Sequence, residues 1–593
     1  MKNKLIFFFT VLSLLMFNNS CNDSKLDIPP LNILSSDQVF QSPSTILAYL
    51  ASLYDVLPTE DHRFTGSDAQ LMNSTDESIR YNRTYIIPDG TLTWWGYAYI
   101  RNVNDFIAKL PAAKLPDVDK KILLGEAKFI RAFYYFGMVK RYGGVPIIKE
   151  VQNFTGDNLV DLQVPRNTEK EVWDFIATDL DEAVTLLPDM NVSGRANKYV
   201  ALALKSRAML YAASIAKYGS VMLDGIVGIP STDANNYWQK AYNASQMVIS
   251  SGRYSLYSKN TNKETNFQEL FLATINPEAI FTVSYQYPTK THGYDCFFLP
   301  FSVRGPEGFG SFMAPSLELV EQFEYMDGTP GTLKLTNPDG SPIFYAKATD
   351  LFLNKDPRFM GTVIVPFATY RGNVIEVQAG IYDHGVKWEA SQYSALYNPN
   401  THKPDIINGT LHIVGNNGFG AGDAEESFTG FYLRKYLNIN MEQSRANSWG
   451  SDQQFIAIRY AEVLLNYAEA AVELNKIPDA KLAIDQIRNR AGIKLLDDAE
   501  VTINRVRHER LVELAFENHR WWDYCRWRIS DKILNNLWNK SLRPYWDIQA
   551  NAYRFETGIA SKFSKTFNIR AYYQRIDPTE IVKNPKLIQN PGY

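Results

Sequence analysis

Residues 455–492 read FIAIRYAEVLLNYAEAAVELNKIPDAKLAIDQIRNRAG. Within this stretch Tyr460, Leu464, Tyr467, Ala468, Ala471 and Leu474 recur at helical spacing and define one face. Alanines on that stripe leave room for a neighbouring helix to come close. Pro478 then opens a second helix, with Ala480, Ala483, Ile484, Ile487 and Ala491 on its stripe and Gly492 as its stop.

A helix, a short loop and a second helix of this size match one tetratricopeptide-like unit. Working outward, similar patterns predict helices over 43–57, 94–112, 117–141, 168–187, 196–218 and 234–251. The pairs 94–112/117–141 and 168–187/196–218 have the dimensions of the first unit. Tyr142-Gly143-Gly144-Val145-Pro146 closes the 117–141 helix with a strong stop signal. Between 275 and 440 the pattern changes to short runs such as AIFTVSYQY (279–287) separated by Gly- and Pro-rich loops. Helices return from 453 to about 530. The expected fold is mostly α, with about four tetratricopeptide-like helix pairs as scaffold and an irregular, loop-rich subdomain. The expected division is a helical region over 31–270 and a C-terminal region over 271–593.

The first 21 residues, MKNKLIFFFTVLSLLMFNNSC, carry two lysines and then an apolar run from Leu5 to Phe17. That run is too short to span a bilayer, which takes about 20 residues. It fits a secretory signal over 1–20. Ser20 followed by Cys21 resembles a bacterial lipoprotein signal, with Cys21 as the lipid-attachment residue and 21–30 as a tether. Asn18 stands where such signals usually carry an apolar side chain.

The chain has 593 residues, 45% apolar and 21% charged, with a formal net charge of −3. The lack of basic excess argues against a nucleic-acid partner. Aromatics reach 13%, which suits stacking on flat ligands as well as filling a helical core. Cys21, Cys296 and Cys525 form no metal or disulfide pattern, although a Cys296–Cys525 bridge is conceivable. Seven scattered histidines show no metal-ligand spacing. There is no HExxH, GxSxG or Walker A motif, and Gly418–Gly422 lacks the GxGxxG spacing. No cofactor, metal or catalytic residue is expected.

Several ordered stretches resemble the RagB/SusD family along nearly the whole mature chain: GEAKFIRAFYYFGMVKRYGGVPII (125–148), GRANKYVALALKSRAMLYAA (194–213), KDPRF (355–359), TGFYLRKY (429–436), RYAEVLLNYAEA (459–470), ERLVELAFENHRWWDYCRW (509–527) and the terminal NPKLIQNPGY (584–593). The family's usual Pro-Ile-Pro near the end is replaced by Gln574-Arg575-Ile576-Asp577-Pro578, expected to change a surface turn. The resemblance implies a lipid-anchored, surface-exposed outer-membrane protein that binds an oligo- or polysaccharide without catalysis. It also implies a SusC/RagA-type TonB-dependent transporter as partner. Peptide binding and a purely structural lid are the alternatives.

Charges in the signature helices (Arg131, Arg459, Glu462, Glu469, Glu509, Arg510, Glu513 and Glu517) read best as buried pairs that fix helix register, because unpaired burial is costly. His519-Arg520-Trp521-Trp522-Asp523 reads as packing rather than a reactive cluster. A sugar ring calls for an aromatic platform beside hydrogen-bonding groups. Two segments supply these. The first, 74–105, offers Arg80, Tyr81, Trp94, Trp95 and Asn104, with Asn104 equally readable as a structural hydrogen-bonding residue. The resemblance points first to Trp94 or Trp95 as the ligand contact; placed on one helix they would point about 100° apart, so both can hardly stack on one ligand, and the rival reading has one of them facing the core. The second, 285–310, offers Tyr287, Tyr294 and Phe309, with Tyr285 on the same face as Tyr287 if the run is a strand.

Overall fold

The computed structural model describes residues 36–62, 71–80, 91–305, 309–420 and 426–593. The signal segment, the tether, Cys21 and Tyr81 lie outside these residues. The helices of eight residues or more are α1 (Pro43–Asp55), α2 (Tyr97–Lys109), α3 (Asp117–Tyr142), α4 (Glu169–Leu186), α5 (Lys198–Tyr218), α6 (Ala234–Ser250), α7 (Lys263–Leu270), α8 (Tyr460–Glu473), α9 (Ile477–Ala491), α10 (Ile503–Leu514) and α11 (Arg520–Trp527). None of them is long and apolar enough to cross a membrane.

Local chemistry explains their ends. Asp117 and Asp119 in the first turn of α3, and Lys140 and Arg141 in its last, complement the helix dipole. Gly143 follows at φ 74°, and a Cβ on Gly144 would lie 2.0 Å from the carbonyl oxygen of Asn167. Only glycine fits that approach. Thr168 and Glu171 form a reciprocal capping box at α4. The Asn197 side chain accepts from the backbone of Tyr199 and Val200 to start α5. Gly492 ends α9 in the left-handed conformation.

Helix α3 packs on α4, α4 on α5, α5 on α6, α6 on α8, and α8 on α9 and α10. Ala461, Ala468, Ala470 and Ala471 of α8 are fully buried in this row. The mostly α expectation holds, with two local corrections. Phe455–Arg459 does not join α8. It forms a strand antiparallel to Ala279–Val283, because all five of its side chains are buried and the aromatic and branched ones suit a sheet. The run 279–287 keeps strand structure only to Val283, so Tyr285 is buried while Tyr287 is exposed, and the two do not share a face.

The strands used below are β1 (Ala279–Val283), β2 (Gly380–Asp383), β3 (Val386–Trp388), β4 (Leu396–Asn398), β5 (Lys403–Pro404), β6 (Leu411–His412), β7 (Phe455–Arg459), β8 (Lys540–Asp547) and β9 (Ala552–Ile559). They form the sheets β9-β8-β2-β3, β5-β4-β6 and β7-β1. Cys296 and Cys525 are both buried and are not joined to each other by a bridge.

The signature charges are paired, as expected of buried groups. Arg131 meets Asp179 at 2.7 Å, Glu462 meets Arg207 at 2.6 Å, Glu469 meets Arg526 at 2.6 Å, and Arg510 meets Asp523 at 2.7 Å. At the centre, Arg459 donates to Glu278, Glu513 and Glu517, each at 2.7 Å. Arg358 of the KDPRF motif donates to Asp356, Glu509 and Glu513. Arg490 reaches Glu278 and Glu513, and Lys435 reaches Glu517. Burial alone would raise the Glu513 carboxyl, but Arg490, Arg459 and Arg358 around it hold it well below its ordinary value. Replacing Arg459 with Met would leave three buried carboxylates short of a partner. The expected loss is about 3–5 kcal/mol of unfolding free energy, read as a fall in the urea midpoint at unchanged slope.

Candidate ligand-binding face

Two aromatic groups emerge from the predicted segments, and the structure separates them. Trp94 and Trp95 precede the N-cap Gly96 of α2 rather than lying on the helix. Both are half-buried. Trp94 stacks on Tyr99 at 5.8 Å and 17° and leans on Tyr134. Trp95 packs on Tyr97 and Tyr142. A Cβ on Gly96 would sit 2.4 Å from the Trp94 ring, so that glycine makes room for it. Asn104 is a core residue. Its amide donates to Ile148 O at 2.9 Å and accepts from Arg131 at 2.9 Å, which spends both ends on holding α2 against α3 and the segment that follows it. Tyr294 is also in the core, 1% exposed, with its hydroxyl donating to Lys435 O at 3.1 Å. Its burial removes it from a solvent-facing site.

The second group places three exposed rings, Tyr287, Trp449 and Phe309, about the buried Phe297 and Phe312. Tyr287 is 48% exposed and carries the Arg445 guanidinium 4.3 Å above its ring. Arg445 sits on the short helix Gln443–Asn447, and Trp449, 51% exposed, follows it. Trp449 meets Phe297 edge-on at 4.8 Å, and Phe297 stacks on Phe309 at 5.4 Å and 23°. Phe309 is 40% exposed and touches Phe312, over whose ring Arg80 lies at 4.8 Å. Arg80 reaches this face because Ser78–Ile79 pairs antiparallel with Ala314–Pro315, a register that carries residue 80 toward Phe312. Phe301, which follows the Phe297 helix, carries Arg304 at 4.3 Å and meets Tyr393 at 5.9 Å.

The face is pinned from below. His292 and Ser451 exchange backbone hydrogen bonds at 2.9 and 3.2 Å, which fixes the Trp449 turn beside residues 292–294. Gly293 lies under Phe297 and Trp449, where a Cβ would crowd both rings. Gly305 N–H donates to Asn447 Oδ1 at 2.9 Å. Asp295 is buried, accepts from Ser451 Oγ at 2.7 Å and from Asn438 N–H at 2.9 Å, and is pushed up to about 6 by burial. His292 stacks near His62 with ring centroids at 4.5 Å, accepts from Tyr294 N–H and contacts Gln453 O.

Sequence reasoning found Arg80, Tyr287 and Phe309 of this face but missed Arg445 and Trp449. The only local hint was an aromatic before a glycine in SRANSWGS, and nothing there points to residue 287 or 297. A cleft of about 340 Å³ lies on the other side of the Tyr287 turn, between α1, β1 and residues 193–195, with the Lys290–Asp55 pair on its wall at 2.6 Å. Among the described residues, one grouping of His, Cys, Asp and Glu side chains is close enough to share a cation: Asp383, His384 and His402. Its two imidazoles meet with centroids 5.1 Å apart.

The His519–Asp523 stretch is packing. Arg520 pairs with Asp76 at 2.9 Å, Trp522 donates to Glu60 at 2.6 Å, and Asp523 bridges Arg510 and Arg526. The Thr75-Asp76-Glu77 stretch is tied down in the same way, with Glu77 accepting from Phe516 N–H at 3.1 Å.

Comparison with known proteins places these features in a family. The model of the SusD family matches residues 277–593, and a second, described as starch-binding associating with outer membrane, matches 25–210. A SusD-like protein, P38, of Formosa agariphila is 24% identical, with 90% of this chain and 93% of that protein covered. A SusD-like protein of Bacteroides fragilis shares the fold at a TM-score of 0.70 and 23% identity, covering 94% of this chain and 99% of that one. A SusD-like carbohydrate-binding protein, also of Bacteroides fragilis, does so at 0.67 and 22%, covering 93% and 100%.

Burial holds His292 down to about 4, against an ordinary 6.5. The unfolded chain therefore takes up this proton first, and the His292 contribution to stability is lost as pH falls from 6.5 toward 4. Asp295, with its raised value, acts in the opposite sense over much of the same range. His292→Gln isolates the first effect. Relative to wild type, the variant gains by roughly 1.4 kcal/mol per pH unit below pH 6.5, measured by chemical denaturation at pH 7, 6 and 5.

Proposed function

The chain belongs to the SusD family, and we propose that the face built by Tyr287, Arg445, Trp449, Phe297, Phe309 and Arg80 captures an oligo- or polysaccharide at the cell surface. The observation that carries this reading is the three exposed rings, Tyr287, Trp449 and Phe309, held on loops that are fixed from beneath and braced by the buried Phe297. Pyranose rings present an apolar side and a rim of hydroxyls. Planar aromatic rings receive the first, and guanidinium groups beside them receive the second. Preorganised loops lower the ordering cost of binding. The carbohydrate-binding relative with this fold agrees with the reading.

In this reading the protein binds without catalysis and hands its ligand to a SusC/RagA-type TonB-dependent transporter in the outer membrane. Lipid on Cys21 tethers the chain there. The half-buried Trp94 and Trp95 serve chiefly to pack α2 on α3. Calorimetry against a panel of oligosaccharides and peptides of equal size tests the ligand class. Oligosaccharide binding is expected, with Tyr287→Ala and Trp449→Ala each weakening it about fivefold, near 1 kcal/mol per ring. Selective peptide binding would overturn the glycan reading. No binding to either class would favour a structural lid. Separately, Cys21→Ser is expected to move the protein out of the membrane fraction, read by fractionation and immunoblotting.

A further inference from the structure

Two hairpin turns converge on one buried carboxylate. Asp383 ends β2, and His384 begins the β2–β3 turn. His402 lies in the turn between β4 and β5. The Asp383 side chain is 2% exposed, while His384 and His402 are 68% and 57% exposed. His384 Nδ1 is 2.7 Å from Asp383 Oδ1, and His402 Nδ1 is 2.6 Å from Oδ2. The two imidazole centroids are 5.1 Å apart with their planes at 86°. Both Nδ1 atoms therefore face one small space in front of a fixed carboxylate.

Two further side chains hold the carboxylate, and one of them, Gln549, also lies 3.3 Å from His384 Nδ1. Tyr397 Oη donates to Oδ2 at 2.6 Å, and Gln549 Nε2 donates to Oδ1 at 2.7 Å. The Gln549 carbonyl also accepts from the backbone of His384 at 2.5 Å, which positions that turn. His384 and His402 both adopt the left-handed backbone region, at φ 48° and 55°. A left-handed conformation at a non-glycine residue costs about 1 kcal/mol or more, and two of them here aim both imidazoles at the same carboxylate.

We propose that Asp383, His384 and His402 form a binding site for a divalent late first-row transition-metal cation, for which Zn²⁺ is the probe. Two imidazoles and one carboxylate suit such ions, whereas Ca²⁺ and Mg²⁺ favour all-oxygen shells. Each neutral imidazole then carries its one hydrogen on Nε2, toward solvent, and presents its Nδ1 lone pair to the cation. Metal–ligand bonds near 2.1 Å at a tetrahedral angle put nitrogen and oxygen roughly 3.4 Å apart. The exposed rings reach that spacing by swinging outward while Tyr397 and Gln549 keep Asp383 in place. Three protein ligands leave a coordination position open to solvent, and the cation clips the β2–β3 turn to the β4–β5 turn.

The test is calorimetric titration of the purified, tag-free, EDTA-treated chain with ZnCl₂, beside the double variant His384→Gln/His402→Gln. Loss of a group that only orients a ligand costs roughly 10–100-fold in metal affinity, so loss of both imidazoles is expected to cost more than about 100-fold. The expected result is one Zn²⁺ per wild-type chain, weakened to that extent in the double variant at an unchanged circular-dichroism spectrum. Electron paramagnetic resonance of the Cu²⁺-loaded wild type is expected to show nitrogen coupling that the variant lacks. Absence of stoichiometric binding by wild type, or equal binding by the double variant, would overturn the proposal. The buried His62 and His292 remain in both proteins, so binding at that pair would appear as equal binding.

Discussion

The buried lattice of arginines and carboxylates around Arg459 is the constraint from which the rest of the structure follows. Arg459 stands where β7 passes into α8, and its partners come from the residue before β1, from α10 and from the turn after it. Arg358 adds Asp356 and Glu509, and Arg488 adds Glu324 and Glu509 at 3.0 Å. Each charge loses its hydration on burial, a cost that is offset only when every partner is in place. A shift of α9 or α10 by one turn would leave several charges unpaired at once. The lattice therefore specifies register more strongly than apolar packing could, since apolar side chains tolerate sliding.

The same lattice reaches the aromatic face. Lys435 donates to Glu517 at 2.6 Å and to Ala515 O at 2.7 Å, and its own carbonyl accepts from Tyr294. Tyr294 and Asp295 begin the short helix Tyr294–Phe298 that presents Phe297, and Asp295 ties it to Ser451, two residues after Trp449. Residues predicted as ligand contacts, such as Tyr294, thus serve as the link between the lattice and the rings above. The terminal signature has a comparable duty. Asn590 donates to Tyr142 O and Gln574 O, and Arg166 holds Ile588 O and Tyr142 O, so the chain end closes over the turn that follows α3.

Periodic patterns made the helices legible, since the apolar stripes of α3 to α6 and of α8 and α9 are local features. Burial of Arg131, Glu469 and Glu513 was legible for a related reason: a charge on an apolar stripe must find a partner. The aromatics were harder. Trp94 and Trp95 read as a platform but fold against Tyr99, Tyr134, Tyr97 and Tyr142. Phe455–Arg459 read as the approach to a helix, yet pairing with β1 makes it a strand. In each case the competing force was a long-range contact that no local window contains.

By itself the sequence determined the helical scaffold, the pairing of its inner charges and, through the order of its motifs, the family. These depend on spacing along the chain and on the cost of burying unpaired charge. Only the tertiary structure decided which rings meet solvent. Tyr285 and Tyr287, two residues apart, take opposite fates, and Trp449 joins Phe297 across a long separation. Asp383, His384 and His402 likewise converge only because two hairpin turns meet. Exposure and convergence are set by packing between distant segments, and an aromatic or imidazole side chain carries no local mark of which neighbour it will find.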